Sequence, residues 1–325
     1  MFIIGFSSQV KTALIIKIGS LGDVLRTTCI LPGFHEKYPD TYIDWITSPE
    51  AITLLVDNPL INRVLNQNNF LTSESWNLKY DIVINLEDDN WSCEFAATIS
   101  TDHFTGAYAI NGERTYTDDS AKWFDMSLIS RYGKGKADQL KKANRLTYPS
   151  ILFEILEIPP GKPFLFIPDS ERSFASNFLR KHLLDNSLVV GVNTGAGDRW
   201  RFKQLSEEKT ATLVDLLTHH LNVSVILLGG KKERKRNRLI RSLANHNIVD
   251  VGHDNSLLEF AALIERCSLL ITSDSLAFHM ASCFEIPVII FFGPTSANEI
   301  QLFGPGRKIV PTMECICCYK KDCDF

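Results

Sequence analysis

The sequence predicts an α/β protein made of two doubly wound units, each with a largely parallel sheet. Short apolar runs of strand length alternate with helical segments along the whole chain, which is the pattern of βαβ units. Turns rich in glycine, serine and aspartate follow several of these runs. The breaker cluster Pro-Pro-Gly-Lys-Pro at residues 159–163 interrupts the pattern near the middle of the 325 residues. We therefore predict two domains, residues 1–163 and 164–325.

In the first half, five apolar runs rich in β-branched residues are the predicted strands. They lie at residues 12–18, 41–47, 61–65, 80–86 and 104–110. A helix is predicted after the first run and a short one at residues 49–56. Residues 111–136 are polar and aromatic and match no element, so we predict a functional loop there. Residues 137–158 are predicted to be helical, with an interruption at Pro149.

The second half has the same architecture without a detectable sequence repeat. Its predicted strands are residues 187–193, 223–228, 248–251, 269–272 and 286–292, and its predicted helices include residues 170–184, 205–221, 256–267 and 276–284. Turns that follow parallel strands lie at the carboxyl edge of the sheet, where ligands bind in open α/β folds. The polar residues of these turns are therefore the functional candidates.

The overall composition is that of an ordinary globular protein. Hydrophobic residues make up 45% and charged residues 22%, and the net charge of -4 gives no sign of nucleic-acid binding. No run approaches the ~20 apolar residues of a membrane-spanning helix, and the apolar first ten residues lack the marks of a signal peptide. We expect a cytoplasmic protein whose eight cysteines are thiols. The basic stretch 231–236 is either a solvated helix face or a surface attracted to an anionic membrane.

The turn after the first strand, Gly19-Ser20-Leu21-Gly22-Asp23, is the first candidate site. Glycines at such a turn let backbone N–H groups approach an anion or a sugar closely. The spacing is not Gly-x-Gly-x-x-Gly, and no acidic residue ends the second strand at the expected distance, which disfavours a dinucleotide-binding dehydrogenase. Asp23 is either a carboxylate favoured by the helix dipole or a general base for an acceptor hydroxyl.

The second candidate is the stretch Thr-Gly-Ala-Gly-Asp-Arg-Trp-Arg-Phe-Lys at residues 194–203. Its glycines lie beside Arg199, Arg201 and Lys203. Backbone N–H groups and a cation in this arrangement can hold a diphosphate and offset the charge of a leaving group. A surface turn with scattered cations is the alternative.

The third candidate is the strand, turn, helix and strand at residues 269–295. The turn residues Ser273, Asp274 and Ser275 can accept hydrogen bonds from the helix N-terminus. His279 lies five residues after Asp274, so both side chains can face one crevice. A histidine alone is more often a core or surface residue. The next turn, Gly-Pro-Thr at residues 293–295, lies on the same edge of the sheet.

Four cysteines are packed into nine positions near the C-terminus: Cys315, Cys317, Cys318 and Cys323. Dense thiols can bind a soft metal. The spacing matches no familiar zinc pattern and no histidine lies nearby, so structural thiols or an incidental disulfide are favoured over a metal site. The other four cysteines lie in apolar surroundings and are predicted to be core residues: Cys29, Cys93, Cys267 and Cys283.

Taken together, these motifs resemble glycosyltransferase family 9, the ADP-heptose:lipopolysaccharide heptosyltransferase family. The matching pieces occur in the family's order at residues 17–25, 193–196 with 203, 228–230, 272–275 with 279, and 292–295. Two positions depart from the family pattern. Leu276 stands where the family often has glycine, and Gln204-Leu205 replace a tryptophan-proline pair.

The resemblance implies a GT-B fold, in which two doubly wound Rossmann-like domains face each other across a cleft. The N-terminal domain would take the acceptor and the C-terminal domain the nucleotide sugar. The implied reaction is an inverting, metal-independent and cofactor-free transfer of a sugar from a nucleoside diphosphate. Heptose from ADP-heptose is the family default, and the acceptor is a hydroxyl of a lipopolysaccharide core or another surface glycan.

The resemblance also assigns residue roles. Asp23 matches the general base. The positions on the acceptor and sugar side are Gly19, Ser20 and Gly22. The positions that bind the sugar donor are Thr194, Gly195, Ala196, Lys203, Glu233, Asn255, Asp274, Ser275 and His279. Within this set, Lys203 would steady the diphosphate, Glu233 would approach the ribose and Asn255 the adenine.

Several alternatives stay open. The chain can be a non-catalytic module that binds a nucleotide sugar, or a transferase that acts on a protein or a natural product. It can also be a nucleotide-sugar epimerase or hydrolase, or a metal protein defined by its tail. The expected partners are a nucleoside-diphosphate sugar and a glycan or glycolipid acceptor, with peripheral contact to the inner membrane surface and no nucleic acid. The oligomeric state is not predicted.

Overall fold

The computed structural model describes residues 10–70, 79–197, 201–320 and 323. It divides the chain into two compact units, Met1–Pro163 and Phe164–Phe325, and the division falls at the proline cluster. Three sequence predictions lie outside the described residues: the apolar start at residues 1–9, the candidate cation Arg199 and the side chain of the candidate cation Arg201.

The N-terminal unit contains one six-stranded sheet in its described residues. Its strands are β1 (Thr12–Ile16), β2 (Tyr42–Thr47), β3 (Arg63–Asn66), β4 (Lys79–Asn85), β5 (Ser100–Ile110) and β6 (Glu113–Tyr116). Its helices are α1 (Leu21–Thr27), α2 (Ile30–Lys37), α3 (Gln67–Phe70), α4 (Asn90–Ala97), α5 (Ala121–Phe124), α6 (Gly133–Ala143) and α7 (Tyr148–Leu156). The strand order is β3-β2-β1-β4-β5-β6, and only the β5–β6 pair is antiparallel within the described residues.

β1 is the centre of this sheet because its apolar residues can be buried on both faces. Four of its five residues are buried, and Leu14 and Ile16 pack in one core cluster with Val83 of β4. In the parallel register Ile16 lies opposite Asn85 of β4. The loops that follow β1 and β4 therefore lie side by side at the carboxyl edge of the sheet.

The C-terminal unit contains a second six-stranded sheet, entirely parallel within the described residues. Its strands are β7 (Val189–Asn193), β8 (Ser224–Leu228), β9 (Val249–Asp250), β10 (Leu269–Ser273), β11 (Val288–Phe291) and β12 (Gly306–Ile309). Its helices are α8 (Asp169–Lys181), α9 (Glu207–Leu221), α10 (Arg234–Leu243), α11 (Leu257–Glu265) and α12 (Leu276–Cys283), with short 3-10 helices at Arg201–Lys203 and Lys231–Glu233.

The strand order β12-β11-β10-β7-β8-β9 places β7, β10 and β11 next to one another. One core cluster joins the buried faces of β7 and β8 to α9 and α10, for example through Val192, Leu227, Val214 and Ile240. Because these strands are parallel, the turns after Asn193, Ser273 and Phe291 gather at one edge. The fold therefore brings together stretches of chain about 80 residues apart without a long loop.

Several element predictions are wrong in detail. Residues 49–56 form turns with a single 3-10 turn at Ile52–Leu54, not an α-helix. α8 begins at Asp169 with Pro168 as its N-cap, so Ser170 lies inside the first turn. Pro149 does not interrupt a helix but stands in the first turn of α7, which the Thr147 side chain caps, because proline lacks an N–H that the first turn does not need.

Residues 111–136 contain a strand and helical segments, so the prediction of a loop there is wrong. β6 closes a hairpin on β5 after a turn with positive φ at Asn111 and Gly112. α5 and the start of α6 follow. Tyr116 and Phe124 pack against each other in a small core cluster, so this segment is part of the fold.

The helices of the described residues include none with the length and apolar character of a membrane span.

Candidate functional site

In the C-terminal unit, a buried ion pair links the turn after β7 to the turn after β10. The Lys203 Nζ donates to the Asp274 Oδ2 at 2.7 Å and to the Asp274 backbone oxygen at 2.9 Å. Their side chains are 9% and 17% exposed, so solvent screens the attraction little. The two residues that the resemblance assigns to the diphosphate and the sugar donor are therefore in direct contact.

Two further side chains converge on the Asp274 carboxylate. Thr295, in the turn after β11, donates its hydroxyl to Oδ2 at 3.0 Å. The Nε2 of His279, one turn into α12, lies 3.8 Å from Oδ1. His279 is buried. Asp274 thus organises a cluster formed by Lys203, Thr295 and His279, which we call the Asp274 cluster.

A network of uncharged groups fixes the turns after β7 and β10 to each other. The Asn193 Nδ2, at the end of β7, lies 3.0 Å from the Thr272 Oγ1 and 3.2 Å from the Ser275 Oγ. The same amide group donates to the Gly195 backbone oxygen at 2.7 Å. Thr272 and Ser275 also share a hydrogen bond of 2.9 Å. The Ser275 hydroxyl is therefore hydrogen-bonded to Asn193 and Thr272.

As a consequence, the N-terminus of α12 is not capped by a side chain. Ser275 is the N-cap residue but makes no capping hydrogen bond. The first-turn N–H groups of a helix are unsatisfied by the helix itself and carry partial positive charge, which suits an anion. Lys203 is fixed to Asp274, one residue before this N-cap. The two positive features together form a candidate phosphate site.

Glu233 lies against the glycine-rich turn. Its Oε2 accepts a hydrogen bond from the Gly230 N–H at 2.9 Å. A Cβ added to Gly195 would lie 2.8 Å from the Glu233 carboxylate carbon, closer than real Cβ contacts allow. Thr194 is buried beside them and donates to the Asn237 Oδ1 at 2.5 Å. The predicted ribose residue and the predicted loop threonine thus belong to one packed group.

The structure does not join Asn255 to the Asp274 cluster. Its Nδ2 donates to the Val251 backbone oxygen at 3.1 Å, in the loop after the edge strand β9. Glu233 lines a groove of about 580 Å³, which is in the size range of small-molecule sites. Its lining also includes Phe202, Gln204, Leu205, Ser206, Glu207, Lys232, Lys235, Arg236 and Leu239.

In the N-terminal unit, a second buried ion pair holds the candidate turn. Lys17 follows β1 and contacts the Glu87 Oε1, beyond β4, at 2.9 Å. The same oxygen accepts the N–H groups of Ile18 and Gly19 at 2.7 and 3.0 Å. Burial lowers the pKa of Lys17, but the negative charges of Glu87 and nearby groups outweigh it and raise this pKa above its ordinary value. The backbone N–H groups predicted to meet an anion are therefore used within the protein.

Asp23 lies at the third position of α1, where its carboxylate faces the start of the helix. Its Oδ2 accepts the Ser20 hydroxyl and N–H at 3.1 and 3.3 Å. Its Oδ1 pairs with the Arg26 Nη2 at 2.7 Å, and the Arg26 guanidinium lies 3.9 Å from the centre of the Tyr148 ring. The Asp23 side chain is 35% exposed. Gly22 is buried inside α1.

The four terminal cysteines differ in their exposure. Cys315 and Cys323 are exposed, Cys317 and Cys318 are half-buried, and none of these four described residues is in a disulfide. Within the described residues no three His, Cys, Asp or Glu side chains are grouped to hold a metal ion. Of the four predicted core cysteines, three are buried and Cys283 is half-buried.

Sequence reasoning gave no role to several residues that build these sites. Glu87, Arg26 and Thr295 make the carboxylate contacts described above, and Asn193 is the amide that joins two turns. Each follows or ends a predicted strand or lies one turn from a candidate residue. The carboxyl-edge rule applied to every strand would have found Glu87 and Asn193.

Comparison with solved structures defines the class of this fold. The chain is similar to a family 9 glycosyltransferase from Veillonella parvula, with a TM-score of 0.75, 20% identity, and coverage of 96% of this chain and 90% of that one. It is also similar to ADP-heptose LPS heptosyltransferase II of E. coli, with a TM-score of 0.63, 19% identity, and coverage of 93% and 92%. The fold is the GT-B fold of glycosyltransferases.

The chain belongs to glycosyltransferase family 9 (heptosyltransferase), whose family model matches residues 76–325. It is therefore a glycosyltransferase. A curated relative, lipopolysaccharide heptosyltransferase 3 of Escherichia coli, is 22% identical over an alignment of 335 positions, gaps included, that covers 90% of this chain and 89% of the relative. The family match includes the Asp274 cluster, whereas Asp23 lies before its first residue.

Proposed function

We propose that the protein transfers heptose from ADP-heptose to a hydroxyl of a lipopolysaccharide core or a related surface glycan. The observation that carries this proposal is the Asp274 cluster beside the uncapped N-terminus of α12. A buried lysine and free helix N–H groups are what a leaving diphosphate needs. The family match and the names of the relatives supply the sugar and the acceptor class.

The C-terminal unit binds the sugar donor in this proposal. Lys203 and the first turn of α12 hold the diphosphate, and Asp274 with His279 contacts the sugar. Glu233 receives the ribose hydroxyls, because a carboxylate accepts two hydroxyl donors. The groove next to Glu233 extends this site. Asn255 approaches the adenine with its amide oxygen, since its Nδ2 donates to the Val251 backbone oxygen.

Asp23 is the proposed general base in the N-terminal unit. It takes the proton of the acceptor hydroxyl while that oxygen forms a bond to the anomeric carbon. The bond from this carbon to the diphosphate oxygen breaks, and its electron pair leaves with ADP. Arg26 and Ser20 fix the carboxylate in one orientation. A single displacement of this kind inverts the anomeric configuration.

A screen of activated sugars tests the proposal. Purified protein is incubated with ADP-, GDP- and UDP-sugars and with a heptose-deficient lipopolysaccharide core as the acceptor. We expect transfer from ADP-heptose, an inverted anomeric centre in the product by NMR, and full turnover in EDTA. No transfer from ADP-heptose, with transfer from another nucleotide sugar, would contradict the assigned sugar donor.

The same screen separates an enzyme from a binding module. Half-buried Leu276, at the first position of α12, is the observation that favours the module, because it adds bulk beside the phosphate site. A module would bind ADP-heptose without transfer to any glycan, protein or natural-product acceptor. Leu276→Gly, with the residue that the family often has there, should then create turnover in a module and leave an active enzyme nearly unchanged.

The proposal places the protein at the cytoplasmic face of the inner membrane. α10 and the turn before it expose six cations, and Leu239 and Leu243 are exposed on the same helix. The cations are Lys231, Lys232, Arg234, Lys235, Arg238 and Arg241. Each basic residue near an anionic bilayer contributes about 1 kcal/mol. Arg238→Gln with Arg241→Gln should reduce co-sedimentation with phosphatidylglycerol vesicles, and Lys134→Gln with Lys136→Gln, an equal charge loss on α6, should not.

A further inference from the structure

The C-terminal tail, residues 313–320, contacts the turn that supplies Thr295 to the Asp274 cluster. The Cys317 N–H donates to the Gly293 backbone oxygen at 3.4 Å, and the Tyr319 N–H donates to the Pro294 backbone oxygen at 2.9 Å. These two contacts run along the 293–295 turn. The tail was singled out in the sequence for its cysteines, yet it is the backbone of Cys317 and Tyr319 that contacts this turn.

The Tyr319 side chain fastens the next residues of the same segment. Its hydroxyl accepts the Ser296 N–H at 3.1 Å and donates to the Glu299 Oε1 at 3.1 Å. Tyr319 is half-buried and Glu299 is buried. Burial raises the pKa of Tyr319, so the phenol keeps its proton and can donate at neutral pH.

The backbone of the tail is held in a conformation that these contacts must stabilise. Cys317 and Tyr319 have φ angles of 60° and 50°, in the left-handed region that residues with a Cβ rarely adopt. Such residues persist where surrounding interactions determine their conformation. A tail without specific partners would not keep two of them within three positions.

The 293–295 turn contacts one member of the central ion pair, Asp274, and the residue next to the other, Lys203. Thr295 donates to the Asp274 carboxylate at 3.0 Å. A Cβ added to Gly293 would lie 2.4 Å from the backbone oxygen of Phe202, so the turn is packed against the residue before Lys203. A displacement of the turn would therefore break the Thr295 contact to Asp274 and disturb the backbone beside Lys203.

We propose that Tyr319 is a positioning residue for the sugar-donor site. It acts through the 293–295 turn and does not contact the substrate. The inference rests on the proposed function, because it assumes that the Asp274 cluster binds the nucleotide diphosphate. It predicts a loss of donor affinity with little loss of the chemical step, since Asp23 is untouched.

The experiment compares Tyr319→Phe with Tyr132→Phe, the same chemical change at an exposed tyrosine of the N-terminal unit. The probes are ADP by calorimetric titration and ADP-heptose in steady-state turnover. We expect Tyr319→Phe to weaken ADP binding and to raise KM about 10-fold, the effect of one lost buried hydrogen bond, while kcat changes less than about 2-fold. Tyr132→Phe should change neither.

Hydrogen exchange gives a measurement that does not depend on activity. In Tyr319→Phe the peptide at residues 293–299 should exchange faster, while the strands of the C-terminal sheet keep their protection. Faster exchange with unchanged ADP affinity would overturn the proposal, because the tail would then hold the turn without influencing the site. Unchanged exchange and affinity would overturn it too. A wild-type protein that binds no ADP would sink the proposed function instead, and the exchange data would still test the tail contact.

Discussion

Each unit has a helix N-terminus at the carboxyl edge of its sheet, after β1 in one unit and after β10 in the other, and the two are used in opposite ways. In the N-terminal unit the start of α1 is occupied by the protein's own carboxylate, Asp23, which binds Ser20. In the C-terminal unit the start of α12 has no capping side chain, and Lys203 lies next to it. An anion is therefore favoured at α12 and disfavoured at α1. The difference supports the proposed diphosphate site in the C-terminal unit and the proposed base in the N-terminal unit.

The buried lysine pairs repeat this contrast. Lys17 and Lys203 are equally buried, and each pairs with a carboxylate beyond a neighbouring strand. The Glu87 carboxylate also binds the backbone of Ile18 and Gly19, so this pair shapes its own loop. The Asp274 carboxylate binds the side chains of Lys203 and Thr295, which come from two other turns of its unit. We infer that Lys17 serves stability and Lys203 serves binding.

The largest effect is expected at Asp23. Asp23→Asn should lower kcat by about 10²–10⁴, the usual contribution of a general base, because the amide cannot take the proton. Binding of ADP should be unchanged, since that site belongs to the other unit. Asp57→Asn, at an exposed carboxylate of the same unit, is the control and should behave as wild type. Full activity of Asp23→Asn would remove the base from the proposed reaction.

The next effect concerns Lys17 and the stability of its unit. Lys17→Met leaves the buried Glu87 charge without its partner and should cost about 3–5 kcal/mol of unfolding free energy. Urea unfolding, with hydrogen exchange of β1 to assign the transition, measures it. Because the folded pKa of Lys17 is raised, its contribution is present below the ordinary lysine pKa of about 10.4 and is lost as the pH rises through the folded value.

A double variant checks this explanation of the Lys17 pair. Lys17→Met with Glu87→Gln removes both charges, so it should recover part of the stability that the single variant loses. ADP affinity should be normal in both variants. A loss of ADP affinity in Lys17→Met without a loss of stability would show that the two lysines do not differ in role.

Lys203→Ala should have a smaller effect, mainly on the sugar donor. Loss of one charged hydrogen-bonding group at a buried phosphate contact typically costs about 2–3 kcal/mol, so ADP affinity should fall about 30- to 150-fold. Calorimetric titration measures it, and Lys209→Ala, in the first turn of α9, is the matched control. Equal ADP affinity in Lys203→Ala and wild type would contradict the diphosphate site.

The smallest effect is expected at Asp215 of the C-terminal unit, and it depends on pH. Partial burial favours a higher pKa for Asp215, but hydrogen bonds from Asn245 and His246 outweigh this effect and lower the pKa to about 2. A lowered pKa contributes stability above the unfolded value near 3.9, which is lost as the pH falls towards 2. Allowing for solvent screening, Asp215→Asn should cost about 1 kcal/mol at pH 7 and nothing near pH 2. Urea unfolding at both pH values tests this.

Much of the fold could be predicted because its signals are local. The runs that became β1, β7 and β10 are apolar and short, and their burial follows from composition alone. The hairpin of β5 and β6 could not be predicted in this way. β6 is mostly exposed, so its sequence carries no apolar alternation, and only its pairing with β5 makes it a strand.

The sequence pointed to individual residues of the candidate site but not to the contacts between them. Asp274, Lys203 and Thr194 stand out because each follows a strand that ends at the carboxyl edge. Their partners lie far away in sequence: Lys203 and Asp274 are separated by 71 positions and Thr194 and Asn237 by 43. The strand order brings these residues into contact, and strand order cannot be read from the local patterns of a single sequence.

Gly195 and Glu233 have a consequence for any attempt to change the nucleotide sugar that this protein uses. The carboxylate fills the space that a side chain at position 195 would need, so alanine at position 195 requires the Glu233 side chain to move. A library that varies position 195 alone would therefore also displace the proposed ribose carboxylate. Changing both positions together, with alanine at position 195 and the shorter aspartate at position 233, would allow this part of the site to be redesigned.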